Sequence, residues 1–307
     1  MPKGLAVEGG GTKTIAVVFH GVEILGVGMA GSSNLVEVGR DRAERALREA
    51  IGEALSEAST SMEEVQESAF ALAGVGDSPG FTREVVELVK SIREGAVIMN
   101  DGEAAVRLAH LFEDGGAVVA GTGSVGYIQR GGSMRRLGGW GWFFGDEGSA
   151  SYIGKRAITM ATRALDGLLE SRLPGELERF YGMEIRDIIE MFTRRPDKSR
   201  IASFAKVVDR LAKEGDPTAV QIMNETVEYI SAVLERMKRE VTRVAGVGGV
   251  FNSAYVKERL KWLRTYRGYQ AVVGCVVSLR VGLKEEDRDN LLTQLEKFMS
   301  RLGARTG

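Results

Sequence analysis

The sequence AVVAGTGSVGYIQRGG, residues 117–132, could begin either of two nucleotide-binding architectures. Gly121, Gly123 and Gly126 follow an apolar run in the G-x-G-x-x-G spacing of a dinucleotide-binding loop. That loop requires a helix that begins at the glycines, because the helix N-terminus carries the pyrophosphate. The residues after Gly126 instead contain a Gly-Gly turn at 131–132 and no apolar stripe of helical period. They predict a β-hairpin, and the dinucleotide-binding fold is therefore rejected.

A second glycine-rich turn, Gly9-Gly10-Gly11-Thr12, is also followed by a strand–turn–strand pattern, at residues 14–25. The chain has no G-x-x-x-x-G-K-[ST] sequence, so a P-loop is rejected as well. Adding 112 to the residue number aligns the two turns without a gap, which indicates an internal duplication. The offset carries Val7, Gly9, Gly11, Thr12, Leu25 and Gly26 to Val119, Gly121, Gly123, Ser124, Leu137 and Gly138.

Short β-branched runs alternate with amphipathic helical segments over the N-terminal third of the chain. Three strands precede a helix at residues 41–58, and strand, helix, strand and helix follow. This order predicts an α/β fold with a largely parallel sheet covered by helices. The pattern of strands and a glycine-rich turn restarts at Gly116. A mostly helical region follows, and the chain ends with an amphipathic helix. The segment QAVVGCVVSLRV, residues 270–281, is rich in β-branched residues, which favours a strand.

The composition argues against several classes of function. The 307 residues are 44% hydrophobic and 27% charged with a net charge of −1, so no basic surface indicates binding to nucleic acid or to an anionic membrane. No apolar run is long enough to span a bilayer, and we find no secretion signal. The single cysteine, Cys275, is predicted to be a small buried side chain in a reducing cytoplasm. Scarce Asn and Gln and abundant charges favour a thermophilic source.

The two predicted turns have the chemistry of phosphate-binding loops. Glycine allows backbone N–H groups to approach phosphate oxygens, and Thr and Ser add hydroxyl donors. Ordinary β-turns in a duplicated sheet are the alternative, and Lys13 is equally compatible with a solvated strand lysine. The candidate nucleotide-binding residues are Gly10, Gly11, Thr12 and Lys13 in the first turn and Gly121, Thr122, Gly123 and Ser124 in the second.

Paired phosphate hairpins in a duplicated β/α unit resemble the actin/Hsp70/sugar-kinase superfamily. The motifs VEGGGTKT, NDGEAA, AGTGSVG, GGWGWFFGDEGSASYIG and AGVGGVFNS more narrowly resemble the N-acetylglucosamine kinase and BadF/BadG-type ATPase family, in the family's order. The resemblance implies two actin-like, ribonuclease H-like domains with a nucleotide cleft between them. We place the first domain at 1–112, joined by a C-terminal helix at 284–307, and the second at 113–283, with a helical insertion at 146–240. The resemblance also favours a helix within 266–283, so the state of that segment stays open.

The same resemblance implies a sugar site. It makes Asp101, which opens a helix after the strand AVIMN, the catalytic base for the attacking hydroxyl and a sugar ligand. Helix N-capping is the alternative for Asp101. Asn100 is a weaker candidate for a functional role, because it could equally be a simple cap partner. The backbone of Gly139-Trp140-Gly141 and the side chains of Asn34 and Asp146 are implied to hold the sugar. A plain turn at Asn34 and a helix N-cap at Asp146 are the alternatives.

Two further groups of residues complete the expected nucleotide site. Glu8 ends the first strand beside the first phosphate turn, and we expect Glu8 and Asp101 to face Mg²⁺ through water, because Mg²⁺ keeps several waters and takes few protein ligands. An exposed strand edge would explain Glu8 without a metal. Gly248 and Gly249 would let adenosine lie against the backbone, with Ser253 capping the next helix. A tight strand–helix turn without a ligand is the alternative.

The aromatic residues of GGWGWFFG could serve the sugar or the core. Candidates for the floor of the sugar pocket or for a plug at the domain junction are Trp140, Trp142, Phe143 and Phe144. For Phe143 and Phe144 we predict core packing, the ordinary role of phenylalanine.

The predicted function is an ATP-dependent sugar kinase that phosphorylates the 6-hydroxyl of N-acetylglucosamine, glucosamine or glucose, with ATP and Mg²⁺ as cofactors. Archaeal-type broad-specificity hexokinases and glucosamine kinases are among the enzymes that it resembles. One alternative is a BadF-type ATPase that activates a partner enzyme, although such activators resemble iron–sulfur proteins with two cysteines per subunit, and this chain has one. A non-catalytic sugar or nucleotide sensor is the other. The expected partner is a small sugar, with no nucleic acid and no membrane, and a homodimer is one expected assembly.

Overall fold

The structure is a computed structural model, and it describes residues 1–76 and 78–305. Contacts divide the chain into two compact units. The first unit comprises residues 1–115, residues 129–134 and the chain from Tyr269 onward, and the second comprises residues 116–128 and 135–268.

The first unit is built on a five-stranded sheet of order β3-β2-β1-β4-β5, in which β1 is Lys3–Gly9, β2 is Thr14–His20, β3 is Glu23–Ala30, β4 is Glu67–Leu72 and β5 is Val97–Met99. Strand β1 is antiparallel to β2, and β2 is antiparallel to β3. Strand β4 is parallel to both β1 and β5. The α/β class is confirmed, but this sheet is mixed rather than largely parallel, because the short turns joining β1, β2 and β3 permit only antiparallel pairing.

Glycines allow a helix to lie close to this sheet. The helices of the N-terminal region are α1 (Leu35–Val38), α2 (Arg40–Glu57), α3 (Pro79–Ile92) and α4 (Asp101–His110). A Cβ atom at Gly26 would lie 2.3 Å from the carbonyl oxygen of Ala54, and one at Gly28 would lie 2.0 Å from that of Ala50. Helix α2 therefore packs on β3 only because these strand positions lack a side chain. The alanines that face the sheet, with Leu47 and Ile51, are buried.

The second sheet repeats the strand order of the first. Its strands are β6 (Gly115–Ala120), β7 (Ser124–Arg130), β8 (Ser133–Gly138), β9 (Val244–Val247) and β10 (Arg264–Tyr266). They are arranged as β10-β9-β6-β7-β8, with β9 parallel to both β6 and β10. Read from β8, this is the order of the first sheet. The duplication predicted from the 112-residue offset is therefore present in the topology.

The region 146–240 is mostly helical, as predicted. Its helices are α5 (Ala150–Leu165), α6 (Leu173–Tyr181), α7 (Ile185–Arg194), α8 (Lys198–Ser203), α9 (Ala205–Lys213) and α10 (Pro217–Lys238), and α11 (Ala254–Arg259) follows β9. Their buried side chains join one apolar core that includes Ile153, Leu177, Leu211 and Ile230. A Cβ atom at Gly154 would lie 2.1 Å from the carbonyl oxygen of Ile201, so glycine brings α5 and α8 into close contact.

The segment at 266–283, whose secondary structure the sequence left undecided, contains a helix. After β10 and a single 3-10 turn at Gly268–Ala271 come α12 (Val272–Leu279) and α13 (Glu285–Arg305). A Cβ atom at Gly274 would lie 1.9 Å from the carbonyl oxygen of Ala104, so α12 packs directly on α4. Residues 269–283 thus belong to the first unit, whereas the sequence placed them with the second domain. Residues 306–307 of the predicted terminal helix lie outside the described residues.

Candidate active site

The first glycine turn joins β1 to β2 and is held by the chain that follows β3. The N–H of Gly10 donates to the carbonyl oxygen of Lys13 at 3.1 Å, which closes the turn. The buried hydroxyl of Thr14 lies 2.8 Å from both the carbonyl oxygen of Gly31 and the hydroxyl of Ser33. Because each of these groups has a partner, the backbone of the turn has a defined shape before any ligand binds.

A carboxylate packs against this turn. A Cβ atom at Gly11 would lie 2.9 Å from Glu37 Oε2, and the three atoms nearest to that position all belong to Glu37. Glu37 is an exposed residue of α1, and Thr12 is exposed beside Gly11. The sequence motifs gave no indication of Glu37. A negative charge therefore lies next to a backbone predicted to bind phosphate.

Three ionisable side chains interact electrostatically at the end of β1. The pKa of Glu8 is raised to about 8, mainly by burial and then by the negative charge of Asp101, against the attraction of Lys13. Burial lowers the pKa of Lys13, and Glu8 partly offsets that effect. The ammonium group of Lys13 lies 4.7 Å from the ring centroid of Tyr269. The two carboxyl groups oppose each other's ionisation, and a bound cation would relieve this repulsion.

Asn100, and not Asp101, is the N-cap of α4. The side chain of Asn100 accepts a bond from the N–H of Gly102 at 2.8 Å and donates to the carbonyl oxygen of Val75 at 2.6 Å. Asp101 is the first helical residue, and its Oδ1 also accepts from Gly102 N–H, at 3.0 Å. The N-cap alternative for Asp101 is therefore wrong. Its carboxylate stands at the positive end of a helix, which favours a negative charge.

Asn34 caps the single-turn helix α1. Its Oδ1 accepts a hydrogen bond from the N–H of Val36 at 3.2 Å, and its own N–H donates to the hydroxyl of Ser32 at 3.2 Å. The turn alternative for Asn34 thus has a structural basis. The amide NH₂ group does not take part in these two bonds, so a cap role is compatible with a sugar contact.

The second glycine turn is joined to the start of α5. The N–H of Gly121 donates to the carbonyl oxygen of Gly123 at 2.9 Å, closing the turn. The N–H of Ala150 donates to the carbonyl oxygen of Gly121 at 2.8 Å, and Ser151 N–H donates to that of Thr122 at 3.3 Å. Ser124 is buried at the start of β7. The carbonyl oxygens of Gly121 and Thr122 therefore accept hydrogen bonds from the N-terminus of α5.

Asp146 is held against this turn by a lysine. The buried carboxylate of Asp146 lies 3.0 Å from the ammonium group of Lys198. A Cβ atom at Gly123 would lie 3.0 Å from both Asp146 Oδ2 and Lys198 Nζ. Asp146 has a φ of +58°, which few residues other than glycine adopt. Ser149 caps α5 by accepting from Tyr152 N–H at 3.1 Å, so the N-cap alternative for Asp146 is wrong.

The aromatic segment lies at the surface of the second unit. Trp140, Phe143 and Phe144 are 74%, 68% and 89% exposed. The core packing predicted for Phe143 and Phe144 is wrong, because the turn that carries them continues from β8 away from the apolar core. Gly139 and Gly141 flank Trp140 with positive φ angles of 69° and 87°, which only glycine adopts readily. The predicted sugar segment thus presents backbone and aromatic surface to solvent.

The predicted adenosine residues follow β9. Gly248 has a φ of 127°, and a Cβ atom there would lie 2.4 Å from the carbonyl oxygen of Ala120. Strand packing alone therefore requires glycine at 248. At Gly249 an added Cβ would meet no atom within 4 Å, which leaves room for a ligand against the backbone. The Ser253 hydroxyl accepts from Val256 N–H at 3.2 Å as the N-cap of α11.

The described residues limit what else the site can contain. Within residues 1–76 and 78–305, no three His, Cys, Asp or Glu side chains cluster in a way that could hold a metal ion. A pair of carboxylates fits Mg²⁺, which completes its coordination with water and substrate phosphates. In the same part of the chain, no helix is both long and apolar enough to cross a membrane.

Comparison with known proteins identifies the family. The profile of the BadF/BadG/BcrA/BcrD ATPase family matches residues 5–273. The chain belongs to this family. Its fold is that of the actin-like ATPase and sugar-kinase superfamily, which the sequence motifs predicted. The two sheets of equal strand order agree with this fold. Within this family member, Cys275 is fully buried in α12, and its thiol donates to the carbonyl oxygen of Val7 at 3.4 Å.

Individual proteins similar to the chain include named kinases. An N-acetylmuramic acid/N-acetylglucosamine kinase of Clostridium acetobutylicum is 28% identical over 81% of this chain and 85% of its own length. The glucosamine kinase GspK of Vibrio cholerae is 25% identical over 75% of this chain and 78% of its own length. A crystal structure of a protein proposed to be an N-acetylglucosamine kinase, from Chromobacterium violaceum, superimposes with a TM-score of 0.78 at 24% identity, covering 91% of this chain and 99% of that one.

The predicted site residues of this family member fall into two groups, one in each unit. Asn34, Asp101 and the residues of the first turn, with Glu8, lie in the first unit. Gly139–Gly141, Asp146, the second turn and Gly248–Ser253 lie in the second. Sequence motifs missed Glu37 and Lys198. Lys198 lies in a helical segment without a motif, and its distances to Gly123 and to Asp146 identify it.

Proposed function

We propose that this protein transfers the γ-phosphoryl group of Mg-ATP to the 6-hydroxyl of an amino sugar or hexose. The enzyme class, an ATP-dependent carbohydrate kinase, rests on the family match over residues 5–273 and on the two relatives named as kinases. The names of these two relatives favour amino sugars, so N-acetylglucosamine and glucosamine are the first candidates and glucose follows. The observation that carries the proposal is the carboxyl group of Glu8 beside the first glycine turn, with Oε1 3.7 Å from the position of a Cβ at Gly10 and a pKa that the negative charge of Asp101 helps to raise.

In this proposal Asp101 is the general base. The sugar hydroxyl oxygen forms a bond to the γ-phosphorus, the bond from that phosphorus to the bridging oxygen breaks, and the hydroxyl proton passes to the Asp101 carboxylate. Two features support this role. Asn100 provides the helix cap, so Asp101 is not needed for it. The helix N-terminus favours the ionised form that a base requires.

Glu8 and Asp101 would hold Mg²⁺ through water in the same proposal. The bound ion would neutralise charge on the β- and γ-phosphates. Gly10, Gly11, Thr12 and Lys13 would contact phosphate at the first turn, and residues 121–124 would do so at the second. Gly248, Gly249 and Ser253 would contact the nucleoside.

The sugar contacts belong to the proposal as well. Asn34 retains an amide NH₂ group that can donate to a hydroxyl, and Asp146 can accept from one. Gly139 and Gly141 expose backbone groups on either side of Trp140, whose exposed ring can cover an apolar face of a sugar. A carboxylate that accepts a hydroxyl discriminates against sugars lacking it. A cytoplasmic location and a homodimer are further parts of the proposal.

The test is ADP release from Mg-ATP in the presence of single sugars. The panel contains glucose, mannose, glucosamine, N-acetylglucosamine and N-acetylmuramic acid, with a reaction lacking sugar as the blank, at moderate and high temperature. We expect strong stimulation by at least one amino sugar. The phosphorylated position is then read by NMR of the product.

Other outcomes would change the assignment. Hydrolysis of ATP that no sugar stimulates would favour an ATPase acting on a partner enzyme. Binding of sugar without ADP release would favour a sensor. Phosphorylation at a position other than the 6-hydroxyl would retain the enzyme class and reject the proposed regiochemistry.

A further inference from the structure

A lysine outside every sequence motif stands at the second glycine turn. The Lys198 ammonium group is 3.0 Å from the position of a Cβ at Gly123 and 3.0 Å from Asp146 Oδ2. The Lys198 side chain is 18% exposed and that of Asp146 is 6% exposed. The pair is therefore more protected from solvent than an ordinary surface ion pair, and salt screens it less.

The first turn provides a comparison within the same chain. At Gly11, which the 112-residue offset relates to Gly123, the nearest atoms all belong to the carboxylate of Glu37. At Gly123 a carboxylate also lies nearby, but an ammonium group stands at the same distance and neutralises it. A phosphate group at the second turn would meet the ammonium group of Lys198 together with the carboxylate of Asp146, so that the negative charge of Asp146 is offset there.

We propose that Lys198 contacts the phosphate chain of the bound nucleotide, beyond its α-phosphate, at the turn formed by residues 121–124. This inference rests on the proposed function. A lysine ammonium has three donors, so Lys198 can keep its bond to Asp146 and donate to a phosphate oxygen as well. Asp146 then positions Lys198, and Gly123 lacks a side chain so that the ammonium can reach the backbone of the turn.

The backbone that carries Lys198 is fixed. The side chain of Asp197 accepts from the N–H of Arg200 at 2.8 Å, which caps α8 at the residue before Lys198. The contact of Gly154 with the carbonyl oxygen of Ile201 holds α8 against α5. Helix α5 in turn donates backbone N–H groups to the second turn. Lys198 and the turn are therefore connected through one rigid group of elements.

The experiment measures binding of ATP, ADP and AMP, each with Mg²⁺ and without sugar, by titration calorimetry of the full chain. The variants are Lys198→Met, Lys198→Arg and the control Arg156→Met. Arg156 forms a partly buried ion pair with Glu225 in the same unit, at 2.7 Å. We expect Lys198→Met to weaken ATP binding about tenfold or more, because hydrogen bonds to charged groups have this strength. AMP binding stays unchanged, Lys198→Arg retains most of the affinity, and Arg156→Met behaves as wild type.

Several results would overturn the inference. Equal ATP affinity in Lys198→Met and wild type would reject it. An equal loss for ATP and AMP would reject a contact beyond the α-phosphate. A rise in the KM for sugar with unchanged ATP binding would make Lys198 a residue that only positions Asp146. If wild type binds none of the three nucleotides, the proposed function itself fails.

A measurement on the unaltered protein covers the case in which Lys198→Met does not fold. The lysines are modified with an amine-reactive reagent, and the modified peptides are quantified by mass spectrometry. We expect ATP, but not AMP, to protect Lys198, while the exposed Lys257 reacts equally in all samples. Protection by neither nucleotide would reject the contact.

Discussion

The two glycine turns share backbone and topology but differ in charge. Each follows the central strand of a sheet, and the two sheets have the same strand order. The three atoms nearest to a Cβ at Gly11 belong to Glu37, whereas those nearest to a Cβ at Gly123 belong to Asp146 and Lys198. The 112-residue offset also carries Asn34 to Asp146, so a neutral side chain in one copy corresponds to a charged one in the other. Duplication has preserved the geometry of the turns, while side chains supplied by neighbouring segments give each copy its own chemistry.

The largest expected effect is the loss of turnover on replacing Asp101, the proposed base in the first unit. Asp101→Asn keeps the shape of the side chain but removes the proton acceptor, so kcat should fall by about 10²–10⁴. Binding of ATP, measured by calorimetry, should be largely retained, because the substitution leaves both glycine turns intact. The control is Asp41→Asn, which removes an exposed acid from the first turn of α2 in the same unit. Near-full turnover of Asp101→Asn would reject the assignment of the base.

A smaller effect is expected for the acid of the second unit. Asp146→Asn keeps a hydrogen-bond acceptor but loses the charge, so the KM for sugar should rise by about tenfold to a hundredfold. The kcat value should fall less than in Asp101→Asn, since Asp146 does not receive the proton in the proposed mechanism. Asp197→Asn is the matched control, because Asn also caps a helix and the charge removed lies next to Lys198. An unchanged KM for every sugar would show that Asp146 does not hold the acceptor.

Much of the fold could be predicted because it depends on local pattern. The alternation of strands and helices predicted the α/β class, and the gapless offset predicted an internal duplication. The apolar face of α2 was visible in its spacing. The segment at α12 stayed open because its β-branched residues favour a strand, while its packing on α4 through Gly274 makes it a helix. Tertiary contact here overrides local propensity.

The chemistry of the site was less predictable, because it depends on contacts between distant residues. Asp101 and Asp146 both had helix capping as an alternative, and only the structure shows that Asn100 and Ser149 fill those positions. Phe143 and Phe144 have apolar side chains, yet the turn that carries them leaves them exposed. No pattern in the sequence relates Lys198 to Gly123, 75 positions earlier in the chain.

The electrostatics of the first unit predict a pH-dependent stability. The pKa of Glu8 is about 8 in the folded protein and 4.5 for an unperturbed side chain. The folded state therefore holds a proton that the unfolded state has lost between these values, and stability falls as the pH rises through this window. Glu8→Gln cannot ionise, so we expect it to be more stable than wild type at pH 8 by at least ~1 kcal/mol and to lose this advantage near pH 4.5.

Thermal unfolding at a series of pH values measures this difference. The difference in Tm between Glu8→Gln and wild type should grow from pH 5 to pH 8. Glu87→Gln, an exposed substitution on α3 of the same unit, is the control and should show no such trend. A constant difference in Tm across the range would mean that the Glu8 carboxyl group is not protonated in the folded protein at neutral pH.

The smallest expected effect concerns the charge at the first turn. Glu37→Gln retains the contact with Gly11 but removes the negative charge, so a phosphate group at this turn would meet less repulsion. Because Glu37 is exposed, solvent screens the interaction and the gain in ATP affinity should be only about two- to threefold. The gain should be larger at low ionic strength and smaller for AMP than for ATP. A loss of ATP affinity would instead show that the Glu37 carboxylate helps to bind the nucleotide. The two turns would then differ in the role of their carboxylates, with Glu37 taking part in nucleotide binding and Asp146 paired with Lys198.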